Sequence, residues 1–152
     1  MALFPSFDDI HLQELCGVLA ATSGGLSGSE IGSLLAQLGI PDTQLAPNKR
    51  ERLYTALVNR QREQGCANAV VAFVERAMDP VRYLNWREGF EDRRHAVNNV
   101  LAFCRYSVAE DGKFRGAVAV RTLDEAEERA GRLRSELQKR SVHPDVLRFC
   151  RA

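Results

Sequence analysis

The sequence predicts a mainly α-helical protein: a compact bundle of about six helices carrying one small β-hairpin. Three observations predict it. Apolar residues recur at i, i+3, i+4 and i+7 in stretch after stretch, the spacing of one helical face. Helix start and stop signals punctuate those stretches. Asp111-Gly112 between two short β-prone runs is a strong hairpin signal.

The elements follow in chain order. The first helix is expected from Ser6, with Asp8 and Asp9 in its first turn, where acids suit the helix dipole. Leu12, Leu15, Cys16 and Leu19 form its buried stripe, and Thr22-Ser23-Gly24-Gly25 is a loop. The second helix opens on a capping box, Ser27 with Glu30, in which each side chain satisfies a free backbone N–H of the other. Leu26 and Ile31 flank the box as a hydrophobic staple. Ile31, Leu34, Leu35 and Leu38 supply the core face, and Gly39-Ile40-Pro41 ends the helix. The third helix, Asn48 to Gln64, is dense in Arg and Lys but keeps Leu53, Ala56 and Leu57 on one side; Gly65 stops it. The fourth, Asn68 to Met78, carries Val70, Phe73, Val74, Ala77 and Met78. The short link makes these two helices antiparallel partners sharing a core.

Asp79-Pro80 ends the fourth helix, because the residue before a proline is pushed out of the α region. Asp79 paired with Arg82, and Tyr83 packed back into the core, would fix that turn, with Val81–Leu84 irregular or extended. Asn85 and Glu88 resemble a further cap for a helix from Trp86, whose stripe is Phe90, Val97, Leu101 and Cys104. Arg93, Arg94, Asn98 and Asn99 fall off or beside that stripe. The hairpin is expected to pair Tyr106–Ala109 with Ala117–Val120. Thr122 and Glu125 form a third capping box, for a helix with the stripe Ala126, Ala130, Leu133 and Leu137. Glu125–Arg129, Glu128–Arg132 and Glu136–Arg140 are i, i+4 pairs on its solvated face, worth roughly 0.3 kcal/mol each. Pro144 starts another helix, so residues 142–152 read as the opening of a further domain and 1–141 as a domain of their own.

Apolar content of 45% and charged content of 27% are ordinary for a soluble globular domain. No apolar run is long enough to span a bilayer, and the start lacks a secretory pattern. A cytoplasmic protein without a membrane partner is expected. Cys16, Cys66, Cys104 and Cys150 form no C-x-x-C; they read as buried thiols, with no metal site and no cofactor implied. His11, His95 and His143 lie in different elements, and no catalytic motif is visible. The run Gly24–Ser29 could cradle a phosphate. It lacks the lysine of a Walker-type loop, and the capping box accounts for the same residues.

Charge is lopsided although the net is +1. Residues 1–48 hold five acids and no Lys or Arg; all 21 basic residues follow. Such asymmetry implies either a polar partner or an internal acidic–basic contact. The second and third helices look superficially like a helix-turn-helix, with Asn48, Lys49, Arg50, Arg52, Arg60 and Arg62 toward a phosphate backbone. The connecting turn is long for that motif, and Glu51 and Glu63 dilute the charge.

Several blocks together carry a family resemblance. They are LSGSEIGSLLAQLGIPD, KRERLYTALVNRQ, NAVVAFVERAMDPVRY, FEDRRHAVNNVLAF, EDGKFR, TLDEAEERA and VHPDVLRFC, in that order. The chain resembles the N-terminal region of the bacterial Ymh family of hypothetical proteins, which is similar to abortive-infection, AbiJ-like defence proteins. The resemblance implies a non-catalytic sensor, regulatory or protein-interaction domain at 1–141, and the first helix of a HEPN-like, ribonuclease-related domain at 142–152. It implies antiphage defence as the setting, and a protein partner, the chain's own C-terminal domain or a second copy as the thing bound. Its interaction candidates are Asn48, Lys49, Arg50, Arg52, Asn59, Gln61, Asn68, Arg82, Arg93, Arg94 and Asn98, joined by Arg60 from the basic helix. The basic face of Asn48–Gln64 with Arg93 and Arg94 is expected to meet the partner, so that charge reversal at Arg52 and Arg60 would abolish partner capture and leave the melting temperature nearly unchanged. A helix-turn-helix-like DNA- or RNA-binding domain is the alternative.

Overall fold

The computed structural model describes residues 3–43 and 45–141, with the side chains of the last helix as far as Arg134. The chain runs through α1 (Asp9–Leu19), α2 (Gly28–Gln37), α3 (Lys49–Gln64) and α4 (Asn68–Ala77). A 3-10 turn at Pro80–Tyr83 leads to α5 (Arg87–Leu101) and a second 3-10 turn at Ala102–Cys104. β1 (Tyr106–Val108) and β2 (Phe114–Gly116) form an antiparallel hairpin, and α6 (Leu123–Ser141) closes the sequence of elements. The fold is mainly α, with the expected six helices and one hairpin among the described residues.

The stripes read from the sequence build a single main core. Leu12, Leu15, Cys16 and Leu19 of α1 meet Leu53 and Leu57 of α3, Phe73 and Val74 of α4, and Val97 and Leu101 of α5, all essentially solvent-free. Burying a side chain of this size stabilises the fold by roughly 1.5–3 kcal/mol. The capping box at Ser27 and Glu30 is complete in both directions. Past the end of α2, the Gly39 and Ile40 N–H groups reach back to the Ala36 and Leu35 carbonyls. That crossed pattern needs a left-handed residue, and Gly39 supplies it at φ +65. Asn48 caps α3 through the Glu51 N–H at 2.9 Å, and Gly65 ends it.

Five local expectations are corrected. First, α1 begins at Asp9, not Ser6, because the preceding backbone is held extended. Gln61 both donates to and accepts from the Phe7 main chain, and Asn68 accepts from the Phe4 N–H. Second, the stretch after Asp79 is a 3-10 turn, capped by the Asp79 carboxylate at the Val81 N–H, 3.0 Å. Arg82 passes over Asp79 and pairs with Glu30 at 2.8 Å. Third, Asn85 is not a cap. Trp86 occupies the N-cap position, its indole folded over Gly89 so closely that a Cβ there would lie 2.1 Å from the ring.

Fourth, the second strand is Phe114–Gly116, not Ala117–Val120. The turn closes early: Ala109 bonds to Lys113, Asp111 accepts from the Lys113 N–H, and Val108 pairs with Phe114. Gly112, at φ +81, packs under the Met78 carbonyl, where any Cβ would sit 2.3 Å from the oxygen. Fifth, the i, i+4 ladder on α6 does not form among the described side chains. Glu125 instead accepts from the Arg121 N–H, and Arg129 donates to the Val118 carbonyl. Glu136–Arg140 and residues 142–152 lie outside the described side chains.

Candidate interaction surface

The basic and amide residues singled out in the sequence divide into a large set spent inside the fold and a small set left open. Lys49 donates to the Ala21 and Leu26 carbonyls at 3.0 and 2.9 Å, bridging the end of α1 to the start of α2. Arg52 forks onto both oxygens of Asp42 at 2.9 and 2.6 Å and donates to the Gly28 carbonyl at 3.0 Å. Those bonds hold the Asp42 carboxyl below its usual range and the Arg52 guanidinium above its own. Arg60 donates to the Gly39 carbonyl, just past the C-terminus of α2, where the helix dipole favours a cation. Arg82 lies on Glu30, whose carboxyl is held low first by the Ser27 N–H and then by this arginine. Arg50 approaches Glu14 at 3.9 Å. The charge asymmetry between residues 1–48 and the rest is thus largely an internal contact, the second of the two readings the sequence allowed.

Arg93, Arg94 and Asn98 are not beside the α5 stripe but within the interior, at 8%, 5% and 3% exposure. Each is buried because it completes a backbone. The Asn98 amide donates to the Val108 carbonyl and accepts its N–H, standing in for a neighbouring strand. Arg94 donates to that same carbonyl at 2.8 Å and reaches the Leu133 carbonyl of α6. Arg93 donates to the Tyr83 hydroxyl at 2.5 Å and the Gly24 carbonyl at 2.9 Å, stacked against the Tyr83 and Trp86 rings. A buried polar group without such partners costs about 1–3 kcal/mol, so these arginines serve the α1–α2 loop and the hairpin first. Gln61 and Asn68 likewise hold the N-terminal segment. The Gly24–Ser29 loop has its own N–H at Ser27 filled by Glu30. Of the predicted residues, Asn48, Arg50, Asn59 and Arg82 stay exposed, as does Arg62.

What the sequence reasoning missed is apolar. Val81, Leu84 and Trp86 stand 69%, 79% and 53% exposed within six residues. Residues three apart eclipse on a 3-10 turn, so Val81 and Leu84 share a face. The turn is rigidly mounted: Tyr83 is buried between them, its hydroxyl donates to the Ala77 carbonyl at 2.7 Å, and its ring meets Phe90 edge-on. Burial, the largest effect, pushes the Tyr83 hydroxyl above its ordinary pKa. Trp86 also walls a groove of about 420 Å³ whose lining includes Gly17, Ala21, Gly24 and Gly89. The available signal was three large apolar residues outside any helical stripe, directly after Asp-Pro.

Burial pushes the Cys16 thiol up to about 12 and the Cys104 thiol to about 11, away from nucleophilic use. His95 faces Glu127 at 3.0 Å, and Asn99 donates to the same carboxylate, which tethers α6 to α5. Among the described residues no group of three or more ligating side chains converges, and no helix is long and apolar enough to cross a membrane. A scan against protein-family models, a search of curated proteins and a search of solved structures each find no match to this chain.

Proposed function

We propose that this chain is a non-catalytic protein-interaction domain that docks an apolar polypeptide segment on the corner formed by Val81, Leu84 and Trp86. The observation that carries this reading is the combination of exposure and rigidity. Exposed apolar side chains are common singly, but contiguous ones on a fixed support mark interaction sites. Here the support is the Asp79 cap, the Tyr83 anchor and the Arg82–Glu30 pair. Covering each of these side chains is worth roughly 1–2 kcal/mol at the usual yield of apolar burial. Trp86 adds a stacked arginine behind it and an open groove beside it, the features of a binding anchor.

In the setting that the sequence resemblance implies, the domain would be the sensing or regulatory part of an abortive-infection-type protein. The nucleic-acid alternative draws less from the geometry, since Lys49, Arg52 and Arg60 already donate to oxygens of the same chain. A photo-crosslinking residue placed at Leu84 tests the reading. Cross-links to one defined polypeptide segment support it; a chain that stays free of peptide adducts overturns it.

A further inference from the structure

We infer that the groove walled by Trp86 is a binding site for a small organic carboxylate carried on a flat apolar frame, with the Arg93 guanidinium as its counter-ion. The inference shares only Trp86 with the docking reading and does not depend on it.

An unbalanced buried charge carries it. Arg93 lines the groove and is also more than nine-tenths buried. A buried arginine ordinarily sits against a carboxylate, because a lone charge in the interior has lost its water without compensation. Arg52 has Asp42 and Arg82 has Glu30, although both are more open to solvent than Arg93. Arg93 makes no ion pair among the described residues. Its two hydrogen bonds run to neutral oxygens, the Tyr83 hydroxyl and the Gly24 carbonyl. A guanidinium presents five N–H groups in a planar fork, so the rest of that fork meets no acceptor among the described residues. Asp92, the acid in the lining, is held by Arg134 at 2.7 Å and does not balance Arg93.

Shape sets the class of ligand. The groove encloses about 420 Å³, inside the usual range of small-molecule pockets. Small residues, Gly17, Ala21 and Ala96 among them, leave the Trp86 indole as its one large surface. The guanidinium carbon lies 6.0 Å from the centre of that ring. The groove thus sets one flat apolar contact beside one fixed positive charge. A planar carboxylate matches both: its frame lies along the indole, and its two oxygens accept from the open part of the fork. One buried positive charge balances one negative charge, which favours a carboxylate over the roughly doubly charged phosphate group.

The chain contains one tryptophan, so its indole N–H gives a single cross-peak that reports on this groove. Benzoate is titrated into the full 152-residue chain and followed in nitrogen–proton correlation spectra. Benzamide, which keeps the ring and lacks the charge, is titrated beside it. The expected result is a saturable benzoate shift with a Kd of about 1 mM or below, and benzamide weaker by about tenfold or more. Ala96→Leu fills the groove and leaves Arg93 in place; it should remove the benzoate shift while the remaining cross-peaks keep their wild-type dispersion. Benzoate shifts that stay linear to about 20 mM, or equal affinities for the two probes, overturn the inference. Full benzoate binding by the folded Ala96→Leu chain overturns it as well. The comparison of the two probes needs no variant, so it decides the matter if Ala96→Leu does not fold. Cross-linking at Leu84 reads the docking corner separately, so either reading can fail while the other stands.

Discussion

Replacing Arg93 with methionine removes a charge from the interior while keeping the length of the aliphatic stem. The guanidinium donates to Tyr83 and to the Gly24 carbonyl and lies over two aromatic rings. Hydrogen bonds to a charged group are worth about 1.5–3 kcal/mol each. The two bonds share one desolvation cost, and stacking on an aromatic face adds about 0.5–1 kcal/mol. The net loss should be roughly 2–4 kcal/mol, a large part of the roughly 5–15 kcal/mol typical of a whole domain. At a length of 152 residues each kcal/mol lowers the melting temperature by about 3 °C, so a fall of roughly 6–12 °C is expected. Thermal and urea unfolding followed by far-UV circular dichroism would measure it. Arg93→Lys should recover only part, since a single ammonium lacks the planar fork that reaches both acceptors. A change below about 0.5 kcal/mol, the usual size for a surface position, would refute the reasoning and return Arg93 to the pool of free surface cations.

Three further expectations can be checked on the same material. In a double-mutant cycle, Arg52→Ala and Asp42→Ala should couple by about 1 kcal/mol, reduced from a buried pair because both side chains are about a fifth exposed; additive losses would mean the fork does not hold in solution. The carboxyls of Glu30, Asp42 and Asp111 are held below their ordinary range. Their stabilisation is therefore complete only above about pH 5, beyond the ordinary carboxylate values, and is lost as the pH falls through the lowered folded values. Urea midpoints should drop there, and Glu30→Gln with Asp42→Asn should flatten that drop; an unchanged acid slope in the double variant would contradict it. Gly89→Ala should drive the Trp86 indole off α5, because the added Cβ would meet the ring at 2.1 Å. Its emission should shift, and an unaltered spectrum would show that the indole does not lie over Gly89.

The helices were legible in the sequence because local signals and core demands agree there. The Ser27–Glu30 box and the Gly39 stop lie within four residues of what they control, and each appears as expected. The expectations that failed depended on distant partners. Gln61 straightens the backbone at Phe7 from 54 residues away, and no local pattern at Ser6 announces that. Arg93 and Arg94 read as surface charges because helical periodicity sees only apolar residues. Their burial is set by the Gly24 and Val108 carbonyls, which reach them only through the fold. Arg82 reaches Glu30 across 52 residues rather than the nearby Asp79. The apolar corner was invisible for the opposite reason: exposure of Val81 and Leu84 follows from Tyr83 being buried between them, which a stripe-counting view of a non-helical stretch does not reveal.

The most direct test sets two photo-crosslinking positions side by side in the full chain, Leu84 on the apolar corner and Asn59 on the exposed part of α3. The account predicts peptide adducts from Leu84 and none from Asn59. Adducts from Asn59 with a silent Leu84 would place recognition on the basic helix and contradict it.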